Sequence, residues 1–139
     1  MCMVLFVASD APLPELAGGM PPPPLSVCPI RDAEEPVRAH FTKPHVRFVG
    51  AHTGCSSGFV YGADVKEDAE GRESVRLLGA YLADAVARVG PLELYACWSG
   101  DEAEPEATRT TVTPADFGGD AERFALAERW FATVRASAG

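Results

Sequence analysis

Between residues 52 and 58 the chain reads His-Thr-Gly-Cys-Ser-Ser-Gly, a turn built from the residue types that carry nucleophilic chemistry. Glycines and serines beside a cysteine let successive backbone N–H groups face one anion, and such a nest favours thiolate over thiol at Cys55. His52 stands close enough in sequence to serve as a general base or as a charged partner for that sulfur. Cys55 is the candidate catalytic nucleophile and His52 its candidate partner. The competing role for Cys55 is that of a half-buried cysteine in a tight turn, since free cysteines are commonly buried. The same two residues have acceptable spacing for two ligands of a zinc ion, which Cys97, Cys2 or Asp10 would complete if the fold brought them in. No second spaced pair accompanies them, so the sequence assigns no metal site, and metal binding stands as the alternative function.

Gly54-Cys-Ser-Ser-Gly58 also matches the G-x-S-x-G nucleophile elbow, with Ser56 in the serine position. The elbow requires a helix directly after the turn, and Phe59-Val-Tyr61 has an extended pattern instead. His40, His45 and His52 all precede Ser56, whereas the hydrolase order places the histidine last, and the chain is short for that fold. The match is accidental.

Three apolar runs end in residues suited to ligand binding: Ser9 and Asp10 after the first, residues 52–58 after the second, Cys97 to Asp101 after the third. Ligand sites in α/β sheets favour the carboxyl ends of strands. If the three strands run parallel, Ser9, Asp10, Ser56, Ser57, Cys97 and Trp98 form the binding wall of a pocket centred on Cys55 and His52. The plainer account is that strands end in turn residues, which Ser, Gly and Asp supply.

The elements that would position these residues follow from periodicity. Residues 2–8 form a continuous apolar run and predict a buried strand, which makes Cys2, like Cys97, an expected structural, core-facing cysteine. Residues 12–24 hold six of the twelve prolines, within a Pro-rich loop spanning 11–24. Fixed φ and missing N–H donors make this a surface loop with polyproline II character, or a ligand for another domain. Residues 25–30 predict an edge strand, because Pro29 suits no central one. Asp32 is placed to cap a one-turn helix through Glu34, Glu35 and Val37. Residues 45–51 predict a strand with Val46 and Phe48 on one face and Arg47 and Val49 on the other. The stretch 62–71 reads as a charged linker. From there Val75, Leu78, Leu82, Ala85 and Val86 recur at helical spacing, predicting a principal helix over about 74–88 that Gly90-Pro91 terminates. Residues 91–98 and 109–113 predict strands. The stretch 122–135 fits both periods and is assigned as strand. Together these predict one α+β domain over residues 1–139, with a mixed or antiparallel sheet and the helix packed on one face.

With 139 residues, 47% apolar and 23% charged, the chain lies in the globular range. Its formal charge of -8 argues against nucleic acid as a partner, because phosphate binding needs a dense basic footprint. No apolar run approaches the roughly 20 residues that span a bilayer, so no membrane is expected. The opening MCMVLFVASD lacks a basic region and a small-x-small cleavage pattern, which predicts a cytoplasmic protein with reduced thiols. Asp101, Glu102, Glu104 and Glu106 lack the glycine hinge of a calcium loop. No G-x-G-x-x-G, P-loop or H-E-x-x-H segment occurs, so no cofactor is named.

The opening Met1-Cys-Met-Val-Leu-Phe-Val-Ala-Ser-Asp10, the segment from Phe41 to Phe59 and Leu94-Tyr-Ala-Cys-Trp98 resemble a set of small uncharacterised bacterial proteins. Those pair an "MC…LASD" start with a "GCxCGF"-like turn. The resemblance implies no activity or cofactor, but it implies that residues 9–10, 52–58 and 97–98 belong together. Ser57 stands where a second turn cysteine is expected, which counts against a two-thiol turn in this chain. The function expected from the residues is small-ligand binding, or an enzymatic reaction on such a ligand, in a pocket around Cys55 and His52. A noncatalytic interaction module using the Pro-rich loop is the remaining rival.

Overall fold

A strand in which every residue is apolar or small has to lie at the centre of a sheet covered on both faces. Met3–Ser9 (β1) is that strand, and all of it is buried. The computed structural model describes residues 2–62, 65–117 and 124–136, residues 65–68 by their backbone. Leu25–Pro29 (β2), His45–Ala51 (β3), Leu92–Trp98 (β4), Thr108–Val112 (β5) and Trp130–Val134 (β6) complete a six-stranded sheet in the order β2-β3-β1-β4-β6-β5. The sheet is mixed. β1 runs antiparallel to both β3 and β4, and only β5 and β6 pair in parallel. One helix, Val65–Val89 (α1), connects β3 to β4, which lie on either side of β1 and run in the same direction. This is the expected α+β domain.

Each face of the sheet has its own core. Met3, Leu5 and Val7 of β1 join Val49, Leu92 and Leu94 beneath Val75, Leu78, Leu82, Ala85 and Val86 of α1, the stripe that the helical spacing marked. Val4, Phe6 and Ala8 point the other way and pack with Val46, Tyr95, Cys97 and Phe131 under Val37. Val37 belongs to a 3-10 helix, Asp32–His40, that covers this second face. The predicted one-turn helix is thus longer than its sequence suggested, and Arg31, not Asp32, is its N-cap. The Arg31 N–H donates to Glu34 Oε1 at 2.8 Å, so Glu34 closes the first turn.

α1 begins at Val65, within the stretch expected to be a linker. Within it Gly71 lacks a side chain for a packing reason: a Cβ there would collide with the Val60 carbonyl oxygen. At the carboxyl end, strand begins only at Trp130, and residues 118–123 lie outside those described. The Pro-rich loop docks against the helix side. Leu13 is buried, Leu16 bridges to Val27, and the Tyr81 hydroxyl donates to the Pro14 carbonyl at 2.6 Å. Among the described residues, no helix is long and apolar enough to cross a membrane.

Candidate functional site

The antiparallel course of β1 decides which residues meet. The carboxyl ends of β3 and β4 do lie at one edge, but the residues of β1 at that edge are its first, not its last. Met3 is in register with Trp98, whereas Ser9 pairs with His45 at the far end. The expectation that Ser9 and Asp10 line a pocket with Cys55 is therefore corrected by strand direction. Ser9 is buried and donates to the Ala11 carbonyl at 2.6 Å, and Asp10 forms an ion pair with Lys43 at 2.9 Å. Cys2 takes the place assigned to them.

Pairing of β1 with β3 stops at Leu5 and Val49. Beyond that point the turn after β3 inserts its own hydroxyls into the ladder. The Leu5 N–H donates to Ser56 Oγ at 2.7 Å, and Ser56 Oγ donates on to the Val49 carbonyl at 2.6 Å. The Met3 N–H donates to Ser57 Oγ at 2.8 Å. Ser56 is fully buried, so it is a splice between two strands and not a nucleophile. The turn itself is closed by the Gly54 N–H on the Ala51 carbonyl (2.9 Å) and the Ala51 N–H on the Cys55 carbonyl (3.0 Å). Gly54 has φ of 85°, a conformation that glycine adopts at little cost.

This splice brings the first residues of β1 against the turn. Cys2, held by its carbonyl accepting the Ser99 N–H at 2.8 Å, lines the same cavity as Cys55. Cys2 is exposed, which corrects its expected role as a buried structural cysteine. A cavity of about 410 Å³ opens here on the face away from α1, lined by Cys2, Val4, Cys28, Phe48, Cys55 and Ser99, with Arg31 and Glu34 also on its wall. Glu34 is only 2% exposed and meets the Arg31 guanidinium at 3.4 Å.

The electrostatics separate the cysteines. Partial burial raises the Cys55 pKa, but hydrogen bonds from the Ser57 hydroxyl, the Cys2 thiol, the Ser57 backbone and Thr53 outweigh it, so the thiol lies below its ordinary value. The Thr53 hydroxyl lies 3.7 Å from the sulfur. Cys2 shifts upward, because its thiol is hydrogen-bonded to Cys55 and sits beside that sulfur's negative charge. Burial raises Cys28, with Glu34 adding to it. Cys97 is fully buried in the sheet and pushed up to about 12, chiefly by burial and then by Glu102 and Asp101. It is a core residue, as expected of its strand, and does not line the cavity. Trp98 faces the opposite side and packs against the helix-side core.

His52 also faces α1. Its Nδ1 lies 3.2 Å from Ser74 Oγ and its Nε2 3.4 Å from Glu70 Oε2. Gly58 leaves room for the ring, since a Cβ would lie 2.9 Å from it. The expected partnership of His52 with Cys55 is corrected accordingly: the hydrogen bonds that lower Cys55 come from Ser57, Cys2 and Thr53. The tight turn through Gly54 explains the separation, because it sends the two side chains to opposite faces. Among the described residues, no group of three or more His, Cys, Asp or Glu side chains is arranged to hold a metal ion.

Sequence reasoning misses Cys28, Arg31, Glu34, Phe48 and Ser99 as site residues, and offers Cys2 only as a completing zinc ligand. The signal for Cys2 was the opening Met-Cys, which periodicity assigned to the core. No family model, curated protein or solved structure matches the chain.

Proposed function

We propose that the protein is a small-ligand-binding protein or enzyme in which the Cys55 thiolate is the nucleophile toward an electrophilic ligand seated in the cavity. One observation carries this: the half-buried Cys55, with the Thr53 hydroxyl 3.7 Å from its sulfur and its thiol shifted below the ordinary value, lies at the wall of a cavity lined by Val4 and Phe48. Donors that stabilise thiolate raise the reactive fraction at neutral pH, and an apolar floor keeps water from competing for the ligand.

The test is site-resolved alkylation of the native protein at neutral pH with iodoacetamide, followed by peptide mapping. Cys55 is expected to label first and Cys97 last, with Cys28 slower than Cys55. Labelling of Cys55 no faster than of Cys28 would remove the nucleophile and with it the proposal.

A further inference from the structure

Cys2 and Cys55 are far apart in sequence, yet the structure seats them as neighbours at the mouth of one cavity. The peptide that follows Cys2 is fixed through both its groups: the Cys2 carbonyl accepts from Ser99, and the Met3 N–H donates to Ser57, two residues beyond Cys55. An exposed cysteine tethered in this way against a second thiol is positioned for exchange chemistry.

We propose that Cys2 and Cys55 form a dithiol–disulfide couple that exchanges with low-molecular-weight disulfides, Cys55 attacking and Cys2 resolving. This deepens the reading of Cys55 as nucleophile and rests on it. In the first step the Cys55 thiolate attacks one sulfur of the small disulfide RSSR. A Cys55–SR bond forms, the RS–SR bond breaks, and RS⁻ leaves and takes a proton from solvent. In the second step Cys2 gives its proton to solvent and attacks the Cys55 sulfur. The Cys2–Cys55 bond forms, the Cys55–SR bond breaks, and the second RS⁻ leaves. Two protein thiols are oxidised to one disulfide while one small disulfide is reduced to two thiols.

The hydrogen bonding orders these steps. Cys2 is shifted upward and Cys55 downward, so Cys55 is the readier attacking group of the two. Once Cys55 is tied up as a mixed disulfide, the interactions with its thiol that raise Cys2 are relieved. The other cysteines are less suited: Cys97 is sealed in the sheet, and Cys28 sits on the cavity wall without a hydrogen bond to Cys55 among those that shift either sulfur.

The experiment treats the reduced full chain, and its Cys2→Ser and Cys55→Ser variants, with oxidised glutathione, and reads intact mass and disulfide-linked peptides. Wild type is expected to lose two hydrogens and yield a Cys2–Cys55 linked peptide. Cys2→Ser is expected to stall with one glutathionyl group on Cys55, and Cys55→Ser to form neither product. If wild type also accumulates the glutathione adduct on Cys55 with no internal bridge, Cys2 is not the resolving thiol, although Cys55 remains the nucleophile. A bridge from Cys55 to Cys28 would likewise overturn the couple. If Cys55 reacts in neither wild type nor Cys2→Ser, the underlying reading of Cys55 fails as well.

Discussion

The Ser57 hydroxyl accepts the Met3 N–H and also contacts the Cys55 sulfur, so one atom both anchors the start of β1 and stabilises the thiolate. Ser57→Ala is therefore expected to slow alkylation of Cys55 at neutral pH and to move its pH midpoint upward. The check is the rate of iodoacetamide incorporation at Cys55 in the two proteins across pH; an unchanged midpoint would detach Ser57 from the thiolate. The residue types of the turn were legible in the sequence because a nest needs small residues around its anion. What was not legible is which side chain faces which side. A tight turn followed by a 3-10 helix over Ser56–Gly58 has no simple periodicity, and it sends His52 to α1 and Cys55 to the cavity.

Ser56 is where an element boundary becomes energetics. Its buried hydroxyl both accepts from Leu5 and donates to Val49, replacing the backbone pairing that β3 no longer offers. Ser56→Ala leaves an N–H and a carbonyl buried without that partner, a cost of about 1–3 kcal/mol. Chemical denaturation should report a loss in that range, and a change below about half a kcal/mol would show that water or a shifted backbone fills the gap. The strands themselves were readable because β1, β3 and β4 are continuous apolar or alternating runs. Their relative direction was not. Composition cannot tell a strand that runs up from one that runs down, and the assumption of parallel strands put Ser9 and Asp10 at the wrong end. The start of α1 was hidden for a different reason: Gly71 reads as a helix breaker unless the contact with Val60 is known. Gly71→Ala is expected to destabilise the fold by about 1–3 kcal/mol despite its favourable helix propensity, since the new methyl meets backbone and not a flexible side chain. A thermal melt would detect it, and an unchanged or raised midpoint would mean that the helix start yields.

At the scale of the molecule, stability rests on two cores joined by one sheet. Leu82 is fully buried at the centre of the helix-side core, and Leu82→Ala should cost about 2–5 kcal/mol in denaturant unfolding. A loss under half a kcal/mol would mean that the helix face is wrongly assigned. The other core holds groups that must stay neutral. Burial pushes Tyr95 from 10.0 and Cys97 from 9.0 up to about 12 each. The folded state thus keeps protons that the unfolded chain releases above pH 9, so stability is full below that pH and declines as pH rises toward about 12. Urea midpoints measured from pH 8 to 11 should fall through this window, while a flat profile would show that Tyr95 and Cys97 ionise without unfolding.

The most direct test is the alkylation rate of Cys55 against pH in wild type and in Cys2→Ala. The expected result is a wild-type midpoint below the ordinary thiol value of 9.0, shifted upward when the Cys2 thiol is removed. A wild-type midpoint at or above that value, unmoved by the substitution, would leave Cys55 an ordinary turn cysteine and contradict the site.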